Sequence, residues 1–572
     1  MKTNKGILIG CIAFPLVLVL AFFIGFVTKI GSGGYGTKLV SDSWLLLDSR
    51  GMISDYNEIT STGFFGSGQA STEDVCRKIR SAATDKKIKG ILIKPAFIQV
   101  SHANLGEIGE AIKVFKAGGK PVIAHGDMLL QKDYLLCAMA DSIYMEASAS
   151  AGLLLEGVSA NILFYKEALD KLGIKMHVLQ SGEYKGAGEP YSQTSLSPGT
   201  RDNIAKALKA RYDLMISDIS KLRSADSLSV KDIFENRRDF FISADTAKHA
   251  KLIDRVLSYD DLLREYDIRK KHSISIGSYS DKSSSAHQKD RIAVVNLSGT
   301  ISPSMGYSSE SVISADKVSD IIESISADKS IKAVVLRVNS PGGSALESEL
   351  IYQKLNKLRQ KMPVVVSMGG VAASGGYYIS CASDYIFADP YAITGSIGVI
   401  MTLPETDVLG RKLGLRSQTI HYGKYAGAIN LFEKYDPEII ASLKRNSESV
   451  YNEFKARVRI SRNIPSEDMT AVAEGRIFSA ADAKKLKLID EIGGLQNAIG
   501  KAAALAKLDS YSTRQFPGKI TIFDALRESN AFNLIQKMLN WDKQSPAQQL
   551  EAHLARAFSP NHWLYHCPYN LD

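Results

Sequence analysis

One serine sits in a run of small residues, Met368-Gly369-Gly370-Val371-Ala372-Ala373-Ser374-Gly375-Gly376-Tyr377-Tyr378. Small neighbours let a substrate backbone come close, and a serine that opens a helix has N–H dipoles facing its oxygen. Such a serine needs a base before it can act as a nucleophile. No histidine in the second half of the chain, His421 included, has a comparable setting. A lysine can do this work where burial disfavours its charged form. The candidate is Lys185, in the loop Gly182-Glu183-Tyr184-Lys185-Gly186-Ala187. The third motif, Asn339-Ser340-Pro341-Gly342-Gly343, directly follows a predicted buried strand at 334–338. A glycine turn that leaves a buried strand and enters a helix presents backbone N–H groups to one spot, which is how an oxyanion is stabilised. The chemistry implied is acyl transfer, with Ser374 as nucleophile and Lys185 as general base. Beside that base, Gly186-Ala187-Gly188 reads as a flexible stretch.

These residues lie on a duplicated scaffold. Asp85-Lys86-Lys87-Ile88-Lys89-Gly90-Ile91-Leu92-Ile93 matches Asp328-Lys329-Ser330-Ile331-Lys332-Ala333-Val334-Val335-Leu336, and Lys120-Pro121-Val122-Ile123 matches Met362-Pro363-Val364-Val365. Later, Lys251-Leu252-Ile253-Asp254 matches Lys487-Leu488-Ile489-Asp490. Buried-strand runs alternate with helical periods at 75–82, 105–116, 318–325 and 346–358, so each half is predicted to be an α/β unit with a largely parallel sheet. The halves differ where chemistry is possible. Gln131 falls opposite Ser374, the first half has no glycine turn opposite Gly342-Gly343, and Ala426 falls opposite Lys185. One half keeps the serine and the other keeps the lysine.

With these motifs, the SPGG run, VAASGGYY from Val371, Thr394-Gly395-Ser396-Ile397-Gly398 and the Glu183-Tyr184-Lys185 loop, the chain resembles the long form of the signal peptide peptidase A family, also called protease IV. The resemblance covers essentially the whole chain. It implies two tandem Clp protease/crotonase-like α/β domains, a membrane-bound homo-tetramer, and degradation of signal peptides after their release. It assigns Ser374 as nucleophile, Lys185 as base, Gly342 or Gly343 with Gly375 as oxyanion donors, and Ser396 as the hydroxyl that orients the lysine. No metal and no cofactor is implied.

The remaining sequence sets the surroundings. Residues 6–27 form an apolar run interrupted by Pro15, about 33 Å long as a helix, and Lys2 and Lys5 precede it. It is predicted to be a single transmembrane helix in the cytoplasmic membrane, with the catalytic domains on the periplasmic or extracytoplasmic side and apolar peptides as substrates. The expected organisation is anchor and linker 1–36, first domain 37–272 with the lysine, linker 273–290, second domain 291–506 with the serine, and tail 507–572. The 572 residues carry a net charge of +9, from 70 basic and 61 acidic residues without a long basic stripe, so no nucleic-acid partner is predicted. The five cysteines form no CxxC pair, and Cys137 and Cys381 are predicted to be buried thiols. Two other readings fit parts of the pattern: a crotonase-like acyl-CoA enzyme using the glycine turn, and an inactive scaffold. The anchor weighs against the first and the intact serine motif against the second.

Overall fold

The computed structural model describes residues 39–57, 59–60, 71–280, 288–303, 312–518, 520–521 and 564–566. The predicted membrane anchor, 6–27, lies outside them. Among the described residues no helix is long and apolar enough to cross a membrane.

Each half is built on a parallel sheet whose strands are apolar almost throughout, because helices cover both faces. In the first half the order is Arg255–Val256, Ser142–Met145, Val122–Gly126, Ile88–Ile93, Ser43–Leu47, Ser273–Ser275, and every neighbouring pair is parallel. The second half repeats this order with Glu491–Ile492, Tyr385–Ala388, Val364–Ala373, Ile331–Ser340, Arg291–Ser298 and Ser512–Phe516. Helices Thr72–Thr84, His102–Ala117, Ala315–Ala327 and Ala345–Arg359 fall on the predicted periods. Each begins at a serine (Ser71, Ser101, Ser314, Ser344) whose side chain accepts the N–H of the third helical residue, the usual way to satisfy a free helix-end donor. Two edge strands correct the expected boundaries. Ser273–Ser275 pairs with Ser43–Leu47 although the linker was expected to begin at 273, and Ser512–Phe516 pairs with Arg291–Ser298 although the tail was expected from 507. Both are short and mostly polar, so their sequences read as linker rather than strand.

Two of the joins between the halves bear on the site. The first is an arm: strand Lys175–Ser181 leaves the first half and pairs antiparallel with Val399–Glu405 of the second, from Lys175↔Glu405 to Ser181↔Val399. Leu179 on this arm packs against Met401, Leu403 and Tyr435. The second is a buried polar seam. Arg337, inside the central strand of the second half, bonds Ser367 Oγ at 3.1 Å and lies 2.8 Å from Glu107 and 3.3 Å from Asp55 of the first half. Asn339 Nδ2 donates to Asp55 Oδ2 at 2.5 Å. From the other direction, Arg211 reaches the carbonyls of Tyr391 and Gly370, both at 3.1 Å. Burial alone would lower the pKa of Arg337, but the carboxylates of Glu107 and Asp55 more than reverse that. Burial raises Glu107 against the pull of Arg337, and it pushes Asp389, beside the same cluster, up to about 7.

Removing one member of a buried ion pair strands the other charge, at about 3–5 kcal/mol. Arg337→Met is therefore expected to lower the urea midpoint strongly, whereas Lys113→Ala, which breaks the exposed pair with Glu110, is expected to leave it nearly unchanged. Asp389 binds its proton more tightly in the folded chain, so its contribution to stability is present below the ordinary carboxylate pKa and lost as pH rises through about 7. Thermal melts of Asp389→Asn should gain on the parent at pH 8 and show little gain at pH 4.

Candidate active site

Ser374 follows the last residue of strand Val364–Ala373 and precedes helix Gly375–Ser380. The chain turns there so sharply that Ser374 has φ 55° and ψ −116°, a conformation that side-chain-bearing residues adopt rarely. Its N–H is held by Gly395 O at 2.8 Å, and its carbonyl accepts from Tyr378 N at 2.8 Å. The glycines around it are required by contact. A Cβ on Gly376 would lie 2.5 Å from Ser340 O, and one on Gly375 would lie 3.2 Å from the Cα of Gly342. The glycine turn and the serine turn therefore touch. Gly342–Ser344 is a short strand rather than a bare turn, with Gly343 at φ 150° and so close to Ile301 that a Cβ would lie 2.0 Å from its carbonyl oxygen. The N–H of Gly342 donates to Ser340 Oγ at 3.1 Å. The Gly375 N–H heads its helix, among the donors for which a helix has no internal partner.

Lys185 comes from the first half, just past the arm strand, and is buried. Its Nζ donates to Ser374 Oγ at 2.6 Å, to Ser396 Oγ at 2.9 Å and to the Ser396 carbonyl at 2.8 Å. These three acceptors are uncharged oxygens. Ser396 has φ 53° and its N–H is tied to Arg476 O at 2.6 Å, which holds its backbone in place. The stretch Gly186–Gly188, which reads as flexible in the sequence, is a buried 3-10 turn. A Cβ on Gly188 would lie 2.3 Å from Val178 and 2.6 Å from Ile400.

The structure brings Ser374, Lys185 and Ser396 together, with Gly342, Gly343 and Gly375 beside the serine. Thr394, in the same motif, bonds Ala372 O at 2.6 Å and serves the strand. Tyr377 and Tyr378 are packing residues whose hydroxyls bond Leu488 O and Glu349. In the first half, Gln131 opposite Ser374 clamps Gly157 through its amide, donating to Gly157 O at 2.9 Å and accepting from Gly157 N at 2.7 Å. Cys137 and Cys381 are buried thiols, as predicted, and burial raises the pKa of both. The sequence reading missed the turn at Glu474-Gly475. Glu474 O accepts the Tyr184 N–H at 2.7 Å, and Gly475, at φ 79°, lies so close that a Cβ would be 2.4 Å from Lys185 N. It also missed the polar seam, whose signal was Arg337 within an otherwise apolar strand. Elsewhere in the first half, His125, Asp127 and Glu146 lie close enough to offer three metal donors, but Lys94 sits 3.5 Å from Asp127 and already supplies the positive charge there.

The family model of peptidase family S49 matches residues 114–273 and 356–509, together more than half of the chain. The chain belongs to peptidase family S49. A Clp protease model also matches residues 306–392. Protease 4 of Haemophilus influenzae is 29% identical over 96% of this chain and 94% of its own length, and Protease 4 of Salmonella typhi is 30% identical over 90% and 88%. The chloroplastic serine protease SPPA of Arabidopsis thaliana is 30% identical over 82% of this chain and 69% of its own. This S49 peptidase is a serine protease, and its motif serine and motif lysine lie in hydrogen-bond contact.

Two substitutions test how closely the lysine must be held. Gly475→Ala forces the backbone of Lys185 to move and should reduce kcat about 100-fold with KM little changed. Ser396→Ala removes one hydrogen bond while keeping the carbonyl, and should cost about tenfold in kcat. Steady-state kinetics on a fluorogenic peptide would read both.

Proposed function

We propose that Ser374 and Lys185 form a Ser–Lys catalytic dyad. The observation that carries this reading is the 2.6 Å contact between Lys185 Nζ and Ser374 Oγ in a buried setting. Having released one proton, Lys185 keeps two N–H donors for the Ser396 oxygens and takes the hydroxyl proton as Ser374 Oγ bonds to the peptide carbonyl carbon. The amides of Gly343 and Gly375 hold the oxyanion, since the Gly342 amide is turned to Ser340 Oγ. Lys185 returns the proton to the leaving amine as the C–N bond breaks; it then takes a proton from the water that attacks the acyl-enzyme carbonyl and gives it to Ser374 Oγ as the ester C–O bond breaks and the acid leaves. Ser396 keeps the amine aimed at the serine through both steps.

The substrate backbone lies in this reading as an added strand beside Gly342–Ser344, where main-chain bonds hold a peptide of any sequence. The chain's own Leu564–His566 pairs antiparallel at that place, with Gly343 opposite Tyr565 and Ile400 opposite Leu564. Apolar, extended peptides, released signal peptides among them, are the proposed substrates. Residues 6–27 anchor the chain in the cytoplasmic membrane as a single pass, the catalytic halves lie on its periplasmic or extracytoplasmic side, and the protein assembles as a homo-tetramer.

The test is hydrolysis of a free signal peptide by the parent, Ser374→Ala and Lys185→Ala proteins. Each substitution should cost several orders of magnitude, and the double variant little more than either alone. Parental activity in a folded Lys185→Ala protein would refute the dyad. A chain lacking residues 1–36 should leave the membrane fraction and still cleave the soluble peptide.

A further inference from the structure

The turn that grips the lysine loop holds a residue that its backbone does not favour. Glu474 has φ 61°, in the left-handed region where glycine is at ease and a side chain is strained. A strained residue persists where its surroundings require it. The backbone alone does not require a glutamate here, because a glycine would fit the same turn and keep the same carbonyl.

The carboxylate shows what the strain is for. Oε2 of Glu474 accepts the N–H of Glu183 at 3.2 Å, and the Glu474 carbonyl accepts the N–H of Tyr184 at 2.7 Å. These are the two residues before Lys185. Oε1 accepts the hydroxyl of Tyr451 at 2.8 Å, and that hydroxyl in turn accepts the Glu474 N–H at 3.0 Å. Burial, with the carboxylate beside it, raises the pKa of the Tyr451 hydroxyl, so it keeps its proton and donates. Tyr451 belongs to helix Pro437–Arg462, whose Ser447 meets Ser181 at the end of the arm strand, Oγ to Oγ at 3.2 Å. One helix thus holds the lysine loop at its start directly and near its lysine through Glu474.

The other half lacks this clasp. Helix Ala244–His249, capped by Ser243, corresponds to Ala480–Lys485, capped by Ser479, so Arg238-Asp239 stands where Glu474-Gly475 stands. Neither Arg238 nor Asp239 has a positive φ. Helix Pro198–Arg223 corresponds to Pro437–Arg462, so Tyr212 stands for Tyr451, and its hydroxyl goes instead to Glu235 at 3.4 Å. The strained glutamate occurs beside the lysine, and Ala426 replaces the lysine in the half whose own joint would carry Arg238.

We propose that Glu474 is a positioning residue for Lys185, a role that rests on the dyad reading: its carboxylate clasps the lysine loop to helix Pro437–Arg462 and so keeps the amine on Ser374. It acts through the backbone of Glu183 and Tyr184.

The test compares Glu474→Gly, Glu474→Gln and Tyr451→Phe in the full-length protein, by steady-state kinetics on a fluorogenic peptide and by thermal melts. Glycine suits the left-handed turn, so Glu474→Gly should melt close to the parent. It should nevertheless lose about 30-fold in kcat, with KM within about twofold. Glu474→Gln keeps an acceptor of the same reach and should return kcat to within about fivefold of the parent. Tyr451→Phe should lose about tenfold, and its combination with Glu474→Gly no more than Glu474→Gly alone, because the hydroxyl acts through the carboxylate. Ile219→Ala, which hollows the first-half core, should melt well below the parent and keep the parental kcat when assayed below its own transition. Parental kcat in Glu474→Gly overturns the inference, as does a rise in KM in place of the fall in kcat. A loss that Glu474→Gln does not restore, or that Ile219→Ala shares, also overturns it, since kcat then follows stability rather than the clasp. Parental activity in Lys185→Ala overturns the dyad and the inference together, whereas an inactive Lys185→Ala beside a fully active Glu474→Gly overturns the inference alone.

Discussion

The proposed nucleophile and its proposed base come from different halves of the chain, so the distance between them depends on how the halves are held against each other. Lys185 reaches Ser374 from 189 positions away in sequence, and no local turn or helix fixes that separation. The fixing elements are the arm strand paired with Val399–Glu405, the turn at Glu474-Gly475 that grips the lysine loop, and the seam of Arg337, Glu107, Asp55 and Asn339. Apolar packing would bring the halves together but would accept small slides at little cost. A strand register and a buried charge cluster do not, because a slide of one residue inverts the faces of a strand and strands buried charges. The polar seam is in this sense an alignment device, and its Asn339 belongs to the same segment as the glycine turn beside the serine. It ties Asp55 of the first half to Val371 N, three residues before Ser374, so alignment of the halves and shape of the site are set by one side chain.

The site itself concentrates backbone strain. Ser374 and Ser396 both carry positive φ, and Gly343, Gly395 and Gly475 hold conformations that L-residues avoid. Such residues persist only where neighbours over-determine them. Here the neighbours are main-chain bonds: Ser374 N to Gly395 O, Ser396 N to Arg476 O and Gly475 N to Ile397 O. These bonds link the serine turn, the Ser396 turn and the Gly475 turn into one rigid unit, against which the lysine loop from the other half is pressed. The glycine-rich stretch after Lys185 does not loosen it, because those glycines are small in order to fit beside Val178 and Ile400 rather than to bend.

Much of this could be read in the sequence, and what escaped has a common cause. Strands buried on both faces leave continuous apolar runs, and the helices between them leave a helical period, so the repeated α/β units were visible. The complementary loss of serine and lysine was visible because the repeat supplies its own alignment: Gln131 and Ala426 mark where a function is absent. The edge strands Ser273–Ser275 and Ser512–Phe516 were read as linker because an edge strand of polar residues gains its identity from the neighbour it pairs with. The grip of Gly475 on Lys185 and of Asp55 on Arg337 joins residues hundreds of positions apart, and no periodicity or spacing encodes such a meeting. Arg337 inside an apolar strand was a local signal that a partner must exist, but it could not name that partner.

The duplication also gives a reason why the proposed dyad can be divided between the halves. In a pair of identical units joined by an arm, each joint would hold one serine from the receiving unit and one lysine from the donating unit. Fusing two units in one chain makes one joint permanent and places it under separate selection from the other. A mutation that removes the serine of the first half or the lysine of the second leaves the joint inside the chain untouched. Gln131 shows what stands at such a position in the other half: its amide nitrogen donates to Gly157 O and its amide oxygen accepts from Gly157 N, satisfying both backbone polar atoms of that residue. The position opposite the serine serves the fold, and the halves differ in that one carries the lysine and the other the serine.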